Sequence, residues 1–406
     1  MSLKSVFEML YEELNEELLN ILEFWNLQTL DQVNGGFVGQ INHFGKADFK
    51  ANKGVVLNAR ILWTFSAAYR MIGSEKLELL ANRASEYLKK YFWDRVNGGL
   101  FWEVDHLGKP INTRKQAYAQ GFGIYAFSEH FLATGDRSSL EYAQQLFELL
   151  ETHFRDKKFG GYIEALDACW NPLEDMRLSE KEANLPKSMN THLHILEPYT
   201  NLYRACPNER LKTGIEHLLS VFQNHIIDNM GHFTLLFEMD WTKKCGIVSF
   251  GHEIEGAWLL REAAHEIGAQ SLSDEIQKTA LTLVDNTLKY GLDKDGSLFY
   301  EKDDARLDTD KHWWPQAEAM VGLMDAWENS QNEKYITALV KVWNFVKENI
   351  IDYENGEWYG RVDLNGEPYE TEDKVGLWKC PYHNSRAMME LIQRIRKHSN
   401  NDFLFS

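Results

Sequence analysis

Hydrophobic and polar positions along this chain fall into two kinds of helical stretch. One kind is apolar on nearly every side. Val55-Val56-Leu57-Asn58-Ala59-Arg60-Ile61-Leu62-Trp63 opens such a segment, 55–72, and predicts a helix buried all round. The other kind is one-sided: Leu77, Leu80, Ala84, Tyr87 and Tyr91 share a face, with Lys76, Glu78, Arg83, Glu86 and Lys90 elsewhere on the wheel. The same pairing recurs at 116–134 and 138–154, 188–205 and 209–226, 250–267 and 271–289, and 314–328 and 332–350. An amphipathic helix at 5–25 and a buried one at 382–397 bring the count to six of each. Gly73, Gly135 and Gly268 stand where buried helices should stop, because glycine enters the left-handed region that closes a helix.

Between the helix pairs lie Gly-centred aromatic segments. They run Asn34-Gly35-Gly36-Phe37, Asn97-Gly98-Gly99-Leu100-Phe101-Trp102, Phe159-Gly160-Gly161-Tyr162, Met230-Gly231-His232-Phe233, Asp295-Gly296-Ser297-Leu298-Phe299-Tyr300 and Asn355-Gly356-Glu357-Trp358. A period of roughly 60–70 residues suits a helical hairpin plus a turn and a short strand. Six helices buried all round cannot be satisfied in two layers. An inner ring clothed by an outer ring does satisfy them, which predicts an all-α (α/α)6 barrel with short hairpin-like loops. No Pro/Gly/Ser-rich linker or charge block interrupts the chain, so 1–406 is expected to be a single domain. An open α-solenoid is the competing architecture. It would need polar capping repeats, whereas the last helix carries His383 and an apolar face.

Charge narrows the partners. The 406 residues hold 43 Lys+Arg and 61 Asp+Glu, a net charge of −18, which argues against nucleic acid and anionic membranes and fits a neutral or cationic small molecule. Met1 to Asn20 is an acidic amphipathic pattern without the basic start, apolar centre and cleavage site of a signal peptide. No apolar run approaches the roughly 20 residues of a membrane span. Cys169, Cys206, Cys245 and Cys380 are scattered, indicating neither a zinc site nor a disulfide framework. A cytoplasmic protein, monomeric or a weak homodimer, is expected.

Polar residues in buried helices need a reason, and here they gather near the start of each one. The first helix has Asn58 and Arg60, and the second Tyr118. The third has Asn190 and His194 on one face, and the fourth His252 with Glu255, followed by Trp258. The fifth has Trp314 and Glu318, and Trp378 and His383 accompany the sixth. Matching positions in a closed ring face one mouth, which would then hold an Arg, a Tyr, three His, two Glu and two Trp, Trp314 and Trp378. His192 lies two residues from His194, faces elsewhere, and is expected to be structural. His252-Glu253 opens no H-E-x-x-H metal motif, because Gly256 stands where the second His belongs. No metal or other cofactor is expected. The charge-rich stretch Glu301 to Lys311 is read as a solvated loop, with a lid as the alternative.

Four stretches carry a resemblance to a known family. They are Asn52-Lys53-Gly54-Val55-Val56-Leu57-Asn58-Ala59-Arg60, Asn190-Thr191-His192-Leu193-His194, Trp313-Trp314-Pro315-Gln316-Ala317-Glu318 and Trp378-Lys379-Cys380-Pro381-Tyr382-His383-Asn384. Over essentially its whole length the chain resembles the cellobiose 2-epimerases, within the N-acylglucosamine 2-epimerase superfamily. The resemblance implies an (α/α)6 barrel, no metal or nucleotide, and reversible inversion at C2 of the reducing glucose of a β-1,4-linked disaccharide. By position, Arg60, His194, His252 and His383 are similar to the family's essential residues. Tyr118 and Asn190 match its sugar contacts, Glu255 and Glu318 its histidine-orienting carboxylates, and Trp314 and Trp378 its aromatic walls. Trp258 is taken with the substrate-binding set. Pro198, four residues after His194, departs from an ideal inner helix and puts the placing of His194 in question.

The chemistry suits the residue types. C2 inversion needs an open-chain aldehyde, loss of a weakly acidic C–H proton, and reprotonation from the other face. Two imidazoles can take and give that proton near neutral pH, His252 and His383 being assigned. Arg60 would stabilise the enediolate oxygen. His194 would assist ring opening, and Glu255 would orient His252. The alternatives are a monosaccharide-acting N-acetylglucosamine 2-epimerase or aldose–ketose isomerase, a glycoside hydrolase using Glu255 and Glu318, and a sugar-binding protein without catalysis.

Overall fold

The computed structural model describes residues 2–180, 182–303 and 305–399. Among these, twelve helices alternate between two rings. In chain order they are α1 (Leu3–Gln28), α2 (Val55–Ile72), α3 (Glu75–Tyr87), α4 (Ala117–Thr134), α5 (Arg137–Leu149) and α6 (Met189–Ala205). Then follow α7 (Glu209–Val221), α8 (Phe250–Glu266), α9 (Gln270–Tyr290), α10 (Trp313–Ser330), α11 (Glu333–Phe345) and α12 (Tyr382–Ser399). The even-numbered helices form the inner ring. Every side chain of α2 from Val55 to Ala68 is buried, whereas α3 buries only Leu77, Leu80, Ala81, Ala84, Ser85 and Tyr87. A helix apolar all round has nowhere else to go. Gly73 and Gly135 end α2 and α4 at φ +75°, and Gly268 follows α8 at +66°.

Each inner helix packs on the next, from α2 through α4, α6, α8 and α10 to α12, and α12 returns to α2. The ring is closed, which overturns the solenoid alternative. Outer helices α3, α5, α7, α9 and α11 each cover the inner helix that precedes them, and α1 covers α12. The N-terminal helix therefore completes the C-terminal repeat. Four outer helices finish in a five-residue π-helical turn, such as Leu88–Phe92, before the chain reverses at the Gly-centred turn.

Two-residue strands tie the ring together at the end where the inner helices begin. Lys53-Gly54 pairs with Glu103-Val104, Lys115-Gln116 with Ala165-Leu166, and Lys187-Ser188 with Leu236-Phe237. Val248-Ser249 pairs with Glu301-Lys302, and Lys311-His312 with Arg361-Val362. A bridge from Ile41 to Val375 closes the circuit ahead of α12. The stretch expected to be a solvated loop is thus partly ordered as a hairpin, with Glu301-Lys302 also pairing with Leu307-Asp308.

A buried ion pair repeats at the same place. Lys53–Asp31 (2.8 Å), Lys115–Asp94 (3.0 Å), Lys187–Asp156 (2.7 Å), Lys311–Asp293 (2.8 Å) and Lys374–Asp352 (2.6 Å) each join the lead-in of an inner helix to the preceding turn. In the fourth repeat Val248 stands in the lysine's place.

Candidate active site

The mouth of the barrel holds two sets of polar residues, and their partners tell them apart. The fourth residue of an inner helix commonly latches the turn behind it. Gln120 accepts from the N–H of Leu100 (2.7 Å), Gln316 from Leu298 (2.8 Å) and Glu253 from Phe233 (3.3 Å). His192 belongs to this set: its Nε2 accepts from the N–H of Tyr162 (2.9 Å), so its Nδ1–H donates to the carbonyl of Ser188 (2.6 Å). Burial pushes its pKa down to about 3. It is a structural histidine, as its spacing predicts.

The second set faces the axis. Arg60 on α2 donates through Nη2 to the hydroxyl of Tyr118 on α4 (2.8 Å) and through Nη1 to Sγ of Cys380 (3.7 Å). Its guanidinium lies over the rings of Phe122 (4.3 Å) and Tyr382 (4.9 Å). His194 on α6 bonds through Nδ1 to Oε2 of Glu197 (3.1 Å), while its Nε2 lies 3.9 Å from Oε2 of Glu255. His252 on α8 places Nδ1 2.7 Å from Oγ of Ser249 and its ring 4.7 Å from that of Trp314. His383 on α12 bonds through Nδ1 to Oε1 of Glu318 (2.6 Å), with its ring 5.7 Å from the same Trp314. Two imidazoles thus lie against one indole. Trp378 lies across the mouth, 5.8 Å from the rings of both Trp102 and Tyr118. Asn190, His252, Trp314 and Trp378 are half-buried, whereas Arg60, Tyr118, His194 and His383 are buried beneath them.

Two assigned positions, Glu255 and Trp258, differ from expectation. Glu255 does not orient His252; its Oε1 accepts from Nη2 of Arg386 (2.9 Å), and Ser249 holds His252 instead. The i,i+3 spacing left that bond open, but a guanidinium outcompeted the imidazole. Trp258 is closed off from the substrate-binding set: it is 1 % exposed and donates to Oε2 of Glu318 (3.2 Å). Glu318 bonds Nδ1 of His383. Pro198 leaves α6 unbroken from Met189 to Ala205, and Glu197 holds His194 in place.

Arg386, Glu197, Tyr382 and Ser249 had been assigned no part. Arg386 is the hub. It donates to Glu197, Glu255 and Glu318, the last through Nη2 at 2.5 Å, and to the hydroxyl of Tyr382, which also bonds Glu197. The available signal was a charged residue one turn after His383 in an otherwise apolar helix face. Against desolvation, the charge of Arg386 and the bond from His194 hold Glu197 down at about 2. Burial keeps Glu255 well above the usual carboxylate range and Glu318 above it, with the Arg386 charge opposing both. Desolvation holds His252 down at about 3 and His383 well below its ordinary value, burial favouring the uncharged ring at both. Among the described residues Glu255, Glu318 and His383 have the spacing of a metal site, their donor atoms lying within 4.8 Å of one another. Arg386 already sets a permanent cation between the two carboxylates.

A closed ring of buried helices whose mouth gathers paired imidazoles, a caged guanidinium and indole walls defines an (α/α)6-barrel enzyme equipped for proton transfer. A sequence profile of the N-acylglucosamine 2-epimerase (GlcNAc 2-epimerase) family matches residues 35–387. The chain is 43% identical over 389 residues to a cellobiose 2-epimerase of Bacteroides fragilis, covering 95% of this chain and 99% of that one. The solved cellobiose 2-epimerase of Spirochaeta thermophila superposes with a TM-score of 0.93 at 36% identity, covering 98% and 99% of the two chains. That of Bacillus thermoamylovorans gives 0.92 at 37%, covering 95% and 100%. The chain belongs to the cellobiose 2-epimerase family, an isomerase family of sugar epimerases.

Proposed function

We propose that this protein inverts C2 of the reducing-end glucose of a β-1,4-linked disaccharide, converting cellobiose to glucosyl-mannose and lactose to epilactose. The observation that carries this reading is the placing of His252 and His383 against the same indole, 4.7 and 5.7 Å from Trp314 between ring centroids. Trp314 and Trp378 stack on pyranose faces, and Tyr118 and Asn190 bond the ring hydroxyls. His194 assists ring opening. One imidazole then takes the C2 proton, and the enediolate that forms is stabilised by Arg60, a cation at every working pH. The other imidazole, protonated, returns a proton to the opposite face. The pair carries one extra proton before and after, on opposite partners, and the roles exchange with the direction of reaction. Glu318 and Glu197 hold His383 and His194 by Nδ1, leaving each Nε2 toward the sugar.

The hydrolase alternative is disfavoured by Arg386, whose Nη2 takes an oxygen from each of Glu255 and Glu318, both at most 1 % exposed. The net charge of −18 supports a protein without nucleic-acid or membrane partners, and no helix among the described residues is long and apolar enough to cross a membrane. We read it as a cytoplasmic single-domain enzyme, monomeric or weakly dimeric, acting without a metal.

Incubation with cellobiose, lactose and mannose tests the substrate class: an epimerised disaccharide is expected, and a ketose, cleavage or no product counts against it. Exhaustive chelation should leave the rate intact. In deuterium oxide the epimer should carry deuterium at C2 from the first turnover, with recovered substrate labelled more slowly. Epimer that is largely protium at C2 would rule out the two-imidazole route. His252→Asn and His383→Asn should each stay folded and lose several orders of magnitude in rate.

A further inference from the structure

Ser249 occupies the N-cap of α8, where a serine normally accepts from a backbone N–H two or three residues on. Ser188 does this at the neighbouring inner helix α6, accepting from the N–H of Thr191 at 3.0 Å. Ser249 makes no such bond. Its Oγ lies 2.7 Å from Nδ1 of His252, and the residue is 2 % exposed. The same residue type at the same place in two adjacent repeats therefore does two different things, and the departure falls in the helix that carries a site imidazole.

The other two site imidazoles are held by carboxylates, His194 by Glu197 (3.1 Å) and His383 by Glu318 (2.6 Å). A carboxylate accepts Nδ1–H and adds a negative charge that favours the imidazolium; a hydroxyl accepts the same proton and adds none. Resting on the epimerase reading above, we propose that Ser249 is a positioning residue for C2 inversion, holding Nδ1–H of His252 so that Nε2 meets the sugar without setting a negative charge beside the imidazole. Two titratable groups on neighbouring inner helices face His252. His194 on α6 opposes its protonation, and Glu318 on α10, which favours it, is already bound by His383 and Arg386 of α12.

Three variants of the full-length protein test this, with kcat, KM and the pH profile of kcat measured in each epimerisation direction. Ser249→Ala should lower kcat about tenfold with KM unchanged, the loss expected for one hydrogen bond made to a reacting group. Ser249→Thr, which keeps the hydroxyl, should restore most of that rate. Ser249→Asp should move the acid limb of the profile to higher pH by favouring protonated His252, a change that a purely structural serine would not produce. Wild-type kcat in Ser249→Ala, an equal loss in Ser249→Thr, or an unmoved acid limb in Ser249→Asp would each overturn the proposal. His252→Asn is run alongside: if it keeps its rate, the acid/base assignment itself fails, whereas an inactive His252→Asn with a normal Ser249→Ala removes only the serine.

Discussion

Arg386 lies one turn beyond His383 and reaches carboxylates on three other inner helices, Glu197 on α6, Glu255 on α8 and Glu318 on α10. Residues of this kind are the hardest to find in a sequence. Arg60, His194 and His383 stand out because each is a polar residue alone on an apolar face, and the ring geometry brings such positions together. Arg386 and Glu197 look like ordinary helix charges until several helices are superposed, and Ser249 looks like an ordinary cap. Glu164 was equally silent. It is buried at the mouth, where its Oε2 accepts from the hydroxyl of Thr191 (2.6 Å) while Oε1 has no partner. Burial pushes its pKa from 4.5 up to about 8. Between those values the folded protein keeps a proton that the unfolded chain has lost. The contribution of Glu164 is therefore most favourable below pH 4.5, falls as pH rises through that window, and is fully unfavourable above about 8. Glu164→Gln keeps an acceptor for Thr191 and cannot ionise. The fall in Tm between about pH 6 and about pH 9 should shrink in this variant, by the equivalent of at most a few kcal/mol. An equally steep fall would show that Glu164 is not the group responsible.

The helices themselves were legible, because burial all round and burial on one face leave different periodicities. What the periodicity does not carry is how closely two inner helices approach. Pro198 removes the helical donor that the carbonyl of His194 would otherwise meet. That carbonyl points at α4, where a Cβ on Gly121 would lie 2.3 Å from it. The glycine therefore sets the spacing between the helix of Tyr118 and the helix of His194. Gly121 has no left-handed backbone angle to explain it, so the close approach is the reason for its lack of a side chain. Gly121→Ala should push α6 outward, cost about 1–3 kcal/mol by overpacking, and lower kcat by separating His194 from the sugar. Wild-type Tm and kcat would mean that the two helices can part without consequence. The repeated lysine–aspartate pairs were missed for another reason. The lysines lie between 18 and 31 residues from their aspartates, 18 for Lys311 and Asp293 and 31 for Lys187 and Asp156, and such a pairing shows only when the turns are aligned with one another.

At the scale of the molecule, closure depends on the two ends of the chain meeting. Ion pairs join inner helices around the base: Arg70–Glu129 (2.7 Å) from α2 to α4, Arg204–Glu262 (2.9 Å) from α6 to α8, and Arg394–Asp325 (3.1 Å) from α12 to α10. Arg261 of α8 shares Asp325 at 2.7 Å. The last inner helix is covered by α1, which buries Leu10, Leu14, Leu18, Ile21 and Trp25 to at most 1 % exposure. It also exchanges buried bonds with the final repeat, Trp25 to Glu357 (2.6 Å) and Trp358 to Glu17 (2.7 Å). Glu357 in turn holds Lys379 (2.6 Å) and Asn384 (2.7 Å), so the segment leading into His383 is fixed through a residue that α1 itself grips. Five large side chains at about 1.5–3 kcal/mol each exceed much of a stability of about 5–15 kcal/mol. The intact protein should therefore unfold in one step, with circular dichroism and tryptophan fluorescence giving coincident curves. Deleting residues 1–28 should abolish both the cooperative transition and epimerisation, although no site residue is removed. Two separable transitions in the intact chain, or a cooperative and active truncated one, would mean that the ring holds together without its first helix and that His383 owes its position to α12 alone.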